Sequence, residues 1–173
     1  MDFAAVLRVL GSFLEARGAR FAVVGGVAMA AWGMARTTLD LDLVVDGAIQ
    51  EDLVRFLEQE GWETLHRSTG YSNHLHPDPE RGRLDVVYVR GETATALFAG
   101  VRREHGLGGV EFDVPRPEHL AAMKVHAMTQ DAARTFRELA DIRHLLTLPG
   151  VDREAVRLSF ARNGLEDRYD ELV

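Results

Sequence analysis

The sequence predicts an α/β (α+β) fold, in which a small mixed β-sheet with helices packed on it precedes a C-terminal helical region. A short apolar run at 21–24 ends in a Gly-Gly pair, which indicates a buried strand turning into a helix. Residues 39–45 alternate between apolar residues and aspartate over most of their length, which is typical of a strand. Pro115 and Pro117 then separate this mixed region from a stretch with helical periodicity.

Composition and charge exclude several classes of function. The chain has 173 residues, 46% of them hydrophobic, and a net charge of −7, so the surface as a whole should not attract nucleic acid. It has no cysteine, which excludes disulfides, thiolate catalysis and cysteine-type zinc sites. The N-terminus lacks signal-peptide features, and no apolar run approaches the roughly 18–20 residues that span a bilayer. We therefore expect a cytoplasmic protein with no membrane partner.

Periodicity and turn residues place the individual elements. The predicted helices of the first part cover 2–17, 27–34 and 49–60. The predicted strands cover 21–24, 39–45, 62–67, 71–76 and 83–90, with a terminal hairpin of 101–105 and 110–114. The predicted C-terminal helices cover 117–129, 131–148, 152–163 and 165–172. We expect a core of 1–114 and a helical region of 115–173 packed on it as one compact unit.

Two aspartates on the predicted strand 39–45 are candidate metal ligands. Asp40 and Asp42 lie two positions apart, so both side chains project from the same face. Hard cations prefer carboxylate oxygens, and two uncompensated charges on an apolar strand are costly. The alternative is that this is a solvated edge strand, because an Asp-x-Asp pair alone is a weak signal.

A third acid, Asp85, stands among apolar residues on the predicted strand 83–90. If this strand pairs beside 39–45, Asp85 completes a three-carboxylate cluster of the kind that a two-metal mechanism uses. It would also be the natural general base. The alternative is an edge-strand acid paired with Arg83 or Arg90.

Gly25 and Gly26 have a separate reason to be glycine. A strand that turns directly into a helix with its amides facing a ligand needs permissive backbone angles and close approach. A helix N-terminus beyond such a turn favours anionic oxygens. A tight turn without a ligand is the alternative.

These residues together carry a family resemblance. Gly25-Gly26 is followed after thirteen residues by Asp40-Leu-Asp42, and Arg36-x-Thr38-x-Asp40 leads into the aspartates. This pattern resembles the nucleotidyltransferase fold shared with DNA polymerase beta, and most closely the small bacterial AbiEii-like nucleotidyltransferases of toxin–antitoxin systems. The resemblance spans roughly residues 20–146, and its C-terminal part consists of Pro117-Glu118-His119-Leu120, Lys124, Arg134 and Asp141.

The resemblance implies metal-dependent transfer of a nucleoside monophosphate from an NTP, with release of pyrophosphate. Mg²⁺ or Mn²⁺ would be held by three residues that are also the catalytic set, Asp40, Asp42 and Asp85. The nucleotide would be bound by Gly25, Gly26, Arg36, Thr38, Lys124 and Asp141. The acceptor would be a hydroxyl on RNA, a protein or a small molecule, and a toxin-like enzyme would have an antitoxin partner. The alternative is a non-catalytic nucleotide-binding or interaction module that retains the fold.

Lys124 has an argument of its own, because the chain uses arginine for every other basic position. A lone lysine at a motif position indicates that a compact ammonium is needed there. The related group often has Lys-Asp where this chain has Arg137-Glu138. The acids and arginines of this helix could instead form pairs at i,i+4. Two histidines, His74 and His76, are predicted to be surface residues.

Overall fold

The computed structural model describes residues 1–35 and 37–172, and the chain divides into two compact units. The first consists of Met1–Ala31 and Ala35–Pro115, and the second of Trp32–Met34 and Arg116–Val173. Packing of the helical region on the core therefore stays a prediction. Among the described residues no helix is both long and apolar enough to cross a bilayer.

A five-stranded sheet forms the centre of the first unit. Its strands are β1 (Phe21–Val23), β2 (Asp40–Asp46), β3 (Glu63–Arg67), β4 (Tyr71–Leu75) and β5 (Arg83–Val89). They lie in the order β1-β2-β5-β4-β3, with β2 and β5 parallel and the other neighbours antiparallel. The parallel pair between antiparallel neighbours confirms the predicted mixed sheet.

Helices and a hairpin complete this unit. The helices are α1 (Phe3–Glu15), α2 (Gly25–Ala31), α3 (Gln50–Gln59) and α4 (Gly91–Ala99), and the hairpin strands are β6 (Arg102–Leu107) and β7 (Val110–Val114). Helix α4 was not predicted. It begins after Arg90 without a side-chain cap, starts at a glycine with φ of +56°, and includes two β-branched threonines, so its local helix signals are weak.

Burial alternates along β5 and along the first half of β2 as their sequences predict, whereas Leu43, Val44 and Val45 are all buried. Leu41, Leu43 and Leu84 have no exposed surface, whereas the aspartates between them are half-buried. The predicted start of β2 at Leu39 is wrong by one residue. The Leu39 side chain is 82% exposed and lies outside the strand, so the apolar face begins at Leu41.

Within the described residues, the second unit contains four α-helices and a 3-10 helix at Ala132–Arg134. The α-helices are α5 (Pro117–Gln130), α6 (Thr135–Leu146), α7 (Arg153–Arg162) and α8 (Glu166–Asp170). Pro117 occupies the first turn of α5, where its missing N–H costs nothing. Residues 32–34 are part of this unit, and the His144 ring donates from Nε2 to the Trp32 carbonyl over 2.9 Å. The helical region follows the predicted elements closely, and the predicted α/β class with a helical C-terminus is confirmed.

The expectation that His74 is a surface residue is wrong. His74 has no exposed surface, and its side chain joins a chain of hydrogen bonds. The Thr64 hydroxyl donates to Glu58 Oε1 over 2.8 Å and lies 3.2 Å from His74 Nδ1. His74 Nε2 lies 2.7 Å from the Ser72 hydroxyl, which lies 2.8 Å from the Tyr88 hydroxyl.

The carboxylate at the end of this chain sets its direction. A carboxylate only accepts, so Thr64 must donate to Glu58 and can accept from His74 Nδ1–H. His74 Nε2 then accepts from Ser72, whose oxygen accepts from Tyr88. A neutral imidazole satisfies every member of the chain. Burial lowers the pKa of His74 from 6.5 to about 4, which keeps the ring neutral near pH 7.

The buried imidazole predicts a loss of stability in mild acid. The folded-state pKa of about 4 lies below the unfolded value of 6.5, so the unfolded chain takes up the proton first as pH falls. The free energy of unfolding should therefore decline from pH 6.5 to pH 4, by up to about 1.4 kcal/mol per pH unit and roughly 3 kcal/mol in all. Urea titrations across this range, on native protein and His74→Gln, check this.

The His74→Gln variant should show a flatter pH dependence than native protein in this window. A variant at the exposed His126 controls for loss of a histidine as such. An unchanged slope in His74→Gln would contradict the assignment.

Candidate metal and nucleotide site

Parallel pairing of β2 and β5 brings the three predicted acids together. Asp42 and Asp85 are direct partners in the register, and Asp40 lies two residues before Asp42 on the same face. One oxygen of each carboxylate lies within 4.8 Å of one oxygen of the other two, and all three residues are half-buried. The predicted convergence of the carboxylates is confirmed, whereas their role as metal ligands stays a prediction.

The spacing of these oxygens fits a small divalent cation. Mg²⁺ binds oxygen at about 2.0–2.1 Å in octahedral geometry, so two ligands on opposite sides of one ion lie about 4.2 Å apart. The observed spread of up to 4.8 Å exceeds this by an amount that small side-chain rotations supply. Three like charges so close repel one another, and a cation would relieve that repulsion. The residues present therefore fit Mg²⁺ or Mn²⁺.

Neighbouring donors hold the carboxylates of Asp40 and Asp85. The Thr38 hydroxyl donates to Asp40 Oδ1 over 2.7 Å. Asp85 Oδ1 accepts from Asn73 Nδ2 at 2.8 Å and from Arg83 Nε at 3.0 Å. Asp85 thus belongs to the cluster and also pairs with Arg83, but the edge-strand alternative is wrong because β5 lies between β2 and β4.

The position of Gly25 is explained by Asp42. Gly25 has φ of +61°, and a Cβ added there would lie 1.9 Å from Asp42 Oδ2. A Cβ added at Gly26 would lie 2.7 Å from Thr38 Cβ. Helix α2 begins at Gly25, two residues earlier than predicted, so both glycines lie in its first turn. The glycine pair gives room to site side chains, and its contact with a triphosphate stays a prediction.

Replacing Gly25 by alanine should disturb the site directly. The left-handed backbone costs about 1–2 kcal/mol with a side chain present, and the Cβ must also displace the Asp42 carboxylate. Gly18→Ala is a matched control, because Gly18 has nearly the same φ of +62° with nothing within 4 Å of an added Cβ.

Both variants should lose a similar amount of stability from the backbone, measured by urea denaturation. Only Gly25→Ala should also weaken Mn²⁺ binding, by at least about tenfold, since a displaced ligand loses its geometry. Equal Mn²⁺ affinity in the two variants would contradict a role for Gly25 in shaping the cluster.

The remaining predicted nucleotide contacts lie in the second unit or outside the described residues. Arg36 lies outside them. Lys124 is buried and donates to Glu138 Oε2 over 2.9 Å and to Asp141 Oδ2. Arg134 also bonds Glu138, from Nη2 at 2.8 Å, which is the predicted i,i+4 pairing. The roles of Lys124 and Asp141 toward a nucleotide stay predictions.

Opposing effects act on the buried carboxyl of Glu138. Burial by itself would raise its pKa, but the charges and hydrogen bonds of Lys124 and Arg134 lower it more. The net pKa lies below the ordinary value, so Glu138 is ionised and forms a buried ion network with the lysine.

Sequence reasoning missed Asn73. It lies opposite Asp85 in the antiparallel pairing of β4 with β5, and it donates to that carboxylate. Its strand carries the sequence Tyr-Ser-Asn-His-Leu, in which no local feature distinguishes the asparagine. The only available signal would have been the register between two strands.

Comparisons with known proteins agree on the fold. No family model matches the chain, and no curated protein matches it in sequence. Antibiotic-resistance factor ANT(2'')-Ia superposes with a TM-score of 0.68 at 16% identity, covering 99% of this chain and 96% of that one. An antigenic nucleotidyltransferase-like protein from Paracoccidioides brasiliensis has a TM-score of 0.58 at 14% identity, covering 98% and 92%.

A third solved structure extends the comparison. The lincosamide antibiotic adenylyltransferase LnuA has a TM-score of 0.56 at 14% identity, covering 82% of this chain and 94% of its own. Sequence identities this low show that the fold is shared, and they do not show a shared activity or substrate. The expected resemblance is confirmed at that level, and the chain has the nucleotidyltransferase fold.

Proposed function

We propose that the protein is a metal-dependent nucleotidyltransferase that moves a nucleoside monophosphate from an NTP to an acceptor hydroxyl. The observation that carries this proposal is the convergence of Asp40, Asp42 and Asp85 within 4.8 Å on two parallel strands. The close approach of Gly25 to Asp42 supports it, because any side chain there would displace a site carboxylate.

The three aspartates have different proposed roles in the reaction. Mg²⁺ or Mn²⁺, when bound, supplies positive charge that stabilises the phosphate oxygens and the departing pyrophosphate. Asp40 and Asp42 would hold it together with Asp85. Asp85 also accepts the proton of the acceptor hydroxyl as that oxygen attacks the α-phosphorus. The new O–P bond forms while the bond from the α-phosphorus to the bridging oxygen breaks, and pyrophosphate leaves with the electron pair.

The nucleotide contacts are proposed on the family resemblance. Gly25 and Gly26 would present backbone to the triphosphate, at positions where an added Cβ would meet Asp42 and Thr38, respectively. Thr38 donates to Asp40 and would hold that carboxylate in place at the start of β2, close to the bound nucleotide. Arg36, Lys124 and Asp141 complete the proposed set.

A small hydroxylated molecule is the first acceptor to test. Two of the structurally similar proteins, ANT(2'')-Ia and LnuA, have names that refer to antibiotics. ANT(2'')-Ia was also solved in complex with adenylyl-2''-tobramycin. The net charge of −7 also disfavours a large polyanionic acceptor. RNA and protein acceptors, a toxin-like role and an antitoxin partner rest on the sequence resemblance alone.

The proposal is tested with labelled NTPs and Mg²⁺ against three acceptor classes: tobramycin and lincomycin, total tRNA, and a cell-protein extract. We expect one of the three acceptor classes to become labelled, with one pyrophosphate released for each nucleotide transferred. Chelation of the metal should abolish the transfer. The non-catalytic alternative predicts that native protein binds Mg·NTP as tightly as Asp42→Asn does and transfers nothing. That result would replace the enzyme by a nucleotide-binding module.

A further inference from the structure

Asp85 is held by a side chain from the neighbouring strand. Asn73 lies directly opposite Asp85 in the β4–β5 pairing, and its amide donates from Nδ2 to Asp85 Oδ1 over 2.8 Å. Arg83 donates from Nε to the same oxygen over 3.0 Å. Asn73 is half-buried, whereas 47% of the Arg83 side chain is exposed. The better-shielded bond is therefore the one from β4.

The two bonds fix how the carboxylate is turned. An aspartate has two side-chain torsions, and donors from two directions on one oxygen leave little freedom in either. Among the described residues, both bonds to Asp85 end at Oδ1. Because both oxygens share one carbon, fixing Oδ1 also fixes where Oδ2 lies. Oδ2 is thus left for a cation or for the proton of an attacking hydroxyl.

The strand order places Asn73 on the side of Asp85 that faces away from the other two aspartates. β5 lies between β2, which carries Asp40 and Asp42, and β4, which carries Asn73. Repulsion from Asp42 raises the energy of the ionised Asp85 carboxylate in the cluster. A donor on the far side offsets that cost by stabilising the negative charge, and its fixed position on β4 sets the orientation of the carboxylate. An amide does this without adding a charge of its own.

We propose that Asn73 is a positioning residue, which holds Asp85 in the orientation needed for metal binding and proton acceptance. This inference rests on the proposed function, since it assigns Asn73 a role in the same site. Asn73 does not touch substrate in this scheme and acts through Asp85. A purely structural cross-strand bond is the competing explanation, and it would affect folding alone.

The test uses Mn²⁺ alone as the probe, titrated into the 173-residue protein without substrate and followed by electron paramagnetic resonance. Asn73→Leu removes the donor and keeps the shape of the side chain. We expect its Kd for Mn²⁺ to rise about 10- to 100-fold, the range seen when a bonding partner of a metal ligand is lost. Asn73→Ala serves if the leucine variant fails to fold.

A double-mutant cycle separates positioning from a general effect on the fold. In an Asp85→Asn background there is no carboxylate to orient, so adding Asn73→Leu should weaken Mn²⁺ binding no further. Leu75→Asn is the matched control, because Leu75 lies on the same strand two residues away and is exposed. It should leave the Kd unchanged.

Each outcome decides between the explanations. Equal losses of affinity from Asn73→Leu in both backgrounds, or a lower Tm with an unchanged Kd, would overturn the positioning role and leave the enzyme proposal standing. If native protein binds no Mn²⁺, both proposals fall together. If Mn²⁺ binding is strong and depends on Asn73 but no acceptor is ever labelled, the positioning role survives and only the transfer reaction is lost.

Discussion

Asp42→Asn is expected to lower the rate of nucleotidyl transfer by about a thousandfold. Metal-ion stabilisation of developing charge contributes several kcal/mol, and each 1.4 kcal/mol is worth about a factor of ten in rate. The substitution keeps the shape of the side chain, which matters because Gly25 contacts this carboxylate so closely. The measurement is single-turnover release of labelled pyrophosphate.

The thermal response to metal should also separate this variant from native protein. Added Mn²⁺ should raise the Tm of native protein, because a ligand that binds only the folded state stabilises it. Asp42→Asn should lose most of that rise.

An exposed acid provides the control for Asp42→Asn. Asp52 lies on α3 with 55% of its side chain exposed, so Asp52→Asn changes the net charge equally without touching the cluster. It should keep both transfer and the thermal shift. A parallel loss in Asp52→Asn would mean that general electrostatics, and not metal ligation, lies behind the effect.

Lys124→Met is expected to cost about 3–5 kcal/mol of unfolding free energy, the usual result when one partner of a buried ion pair is removed. Lys124 donates to two carboxylates, Glu138 and Asp141, and each of these is only 1% exposed. Without the Lys124 ammonium, the buried carboxylates of Glu138 and Asp141 lose the positive charge that they share. Urea denaturation followed by circular dichroism measures the loss, which should concentrate in the helical unit.

Two further variants identify the cause of this loss. Lys124→Met combined with Asp141→Leu removes a buried charge of each sign, so it should regain part of the lost stability. Arg134→Gln removes a partner that is 45% exposed and should cost no more than about 1 kcal/mol. If Lys124→Met is as stable as native protein, the buried network contributes nothing to the fold.

The proposed nucleotide role of Lys124 can be separated from its role in stability. Mg·ATP affinity is measured at a temperature where Lys124→Met remains folded by circular dichroism. If the Kd of Lys124→Met for Mg·ATP is higher than that of Arg134→Gln, the result would support contact between Lys124 and the phosphates. An unchanged Kd would leave Lys124 with the buried network alone.

The sites where sequence prediction failed share a physical cause. His74 was predicted to be exposed because a histidine on a strand carries no sign of its burial. Its environment comes from Ser72, Thr64 and Tyr88, which belong to three strands brought together by pairing. Asn73 was missed for the same reason. Helix α4 was missed because its stability comes from tertiary packing of residues such as Leu97.

The amino-acid sequence by itself determined most of the elements and the three carboxylates of the candidate site. Local periodicity places Asp40 and Asp42 on one face of a strand, since successive side chains on a strand alternate. The glycine pair and the two prolines mark turns through their own backbone limits. These features act over a few residues, so they can be read from the chain.

Only the tertiary structure decided what those groups do together. The parallel register of β2 with β5 sets Asp85 beside Asp42, and the antiparallel register of β4 sets Asn73 beside Asp85. A shift of one residue in either register would turn these side chains to the opposite face. Long-range pairing is set by burial of whole strand faces, so a site built across three strands is decided by the fold.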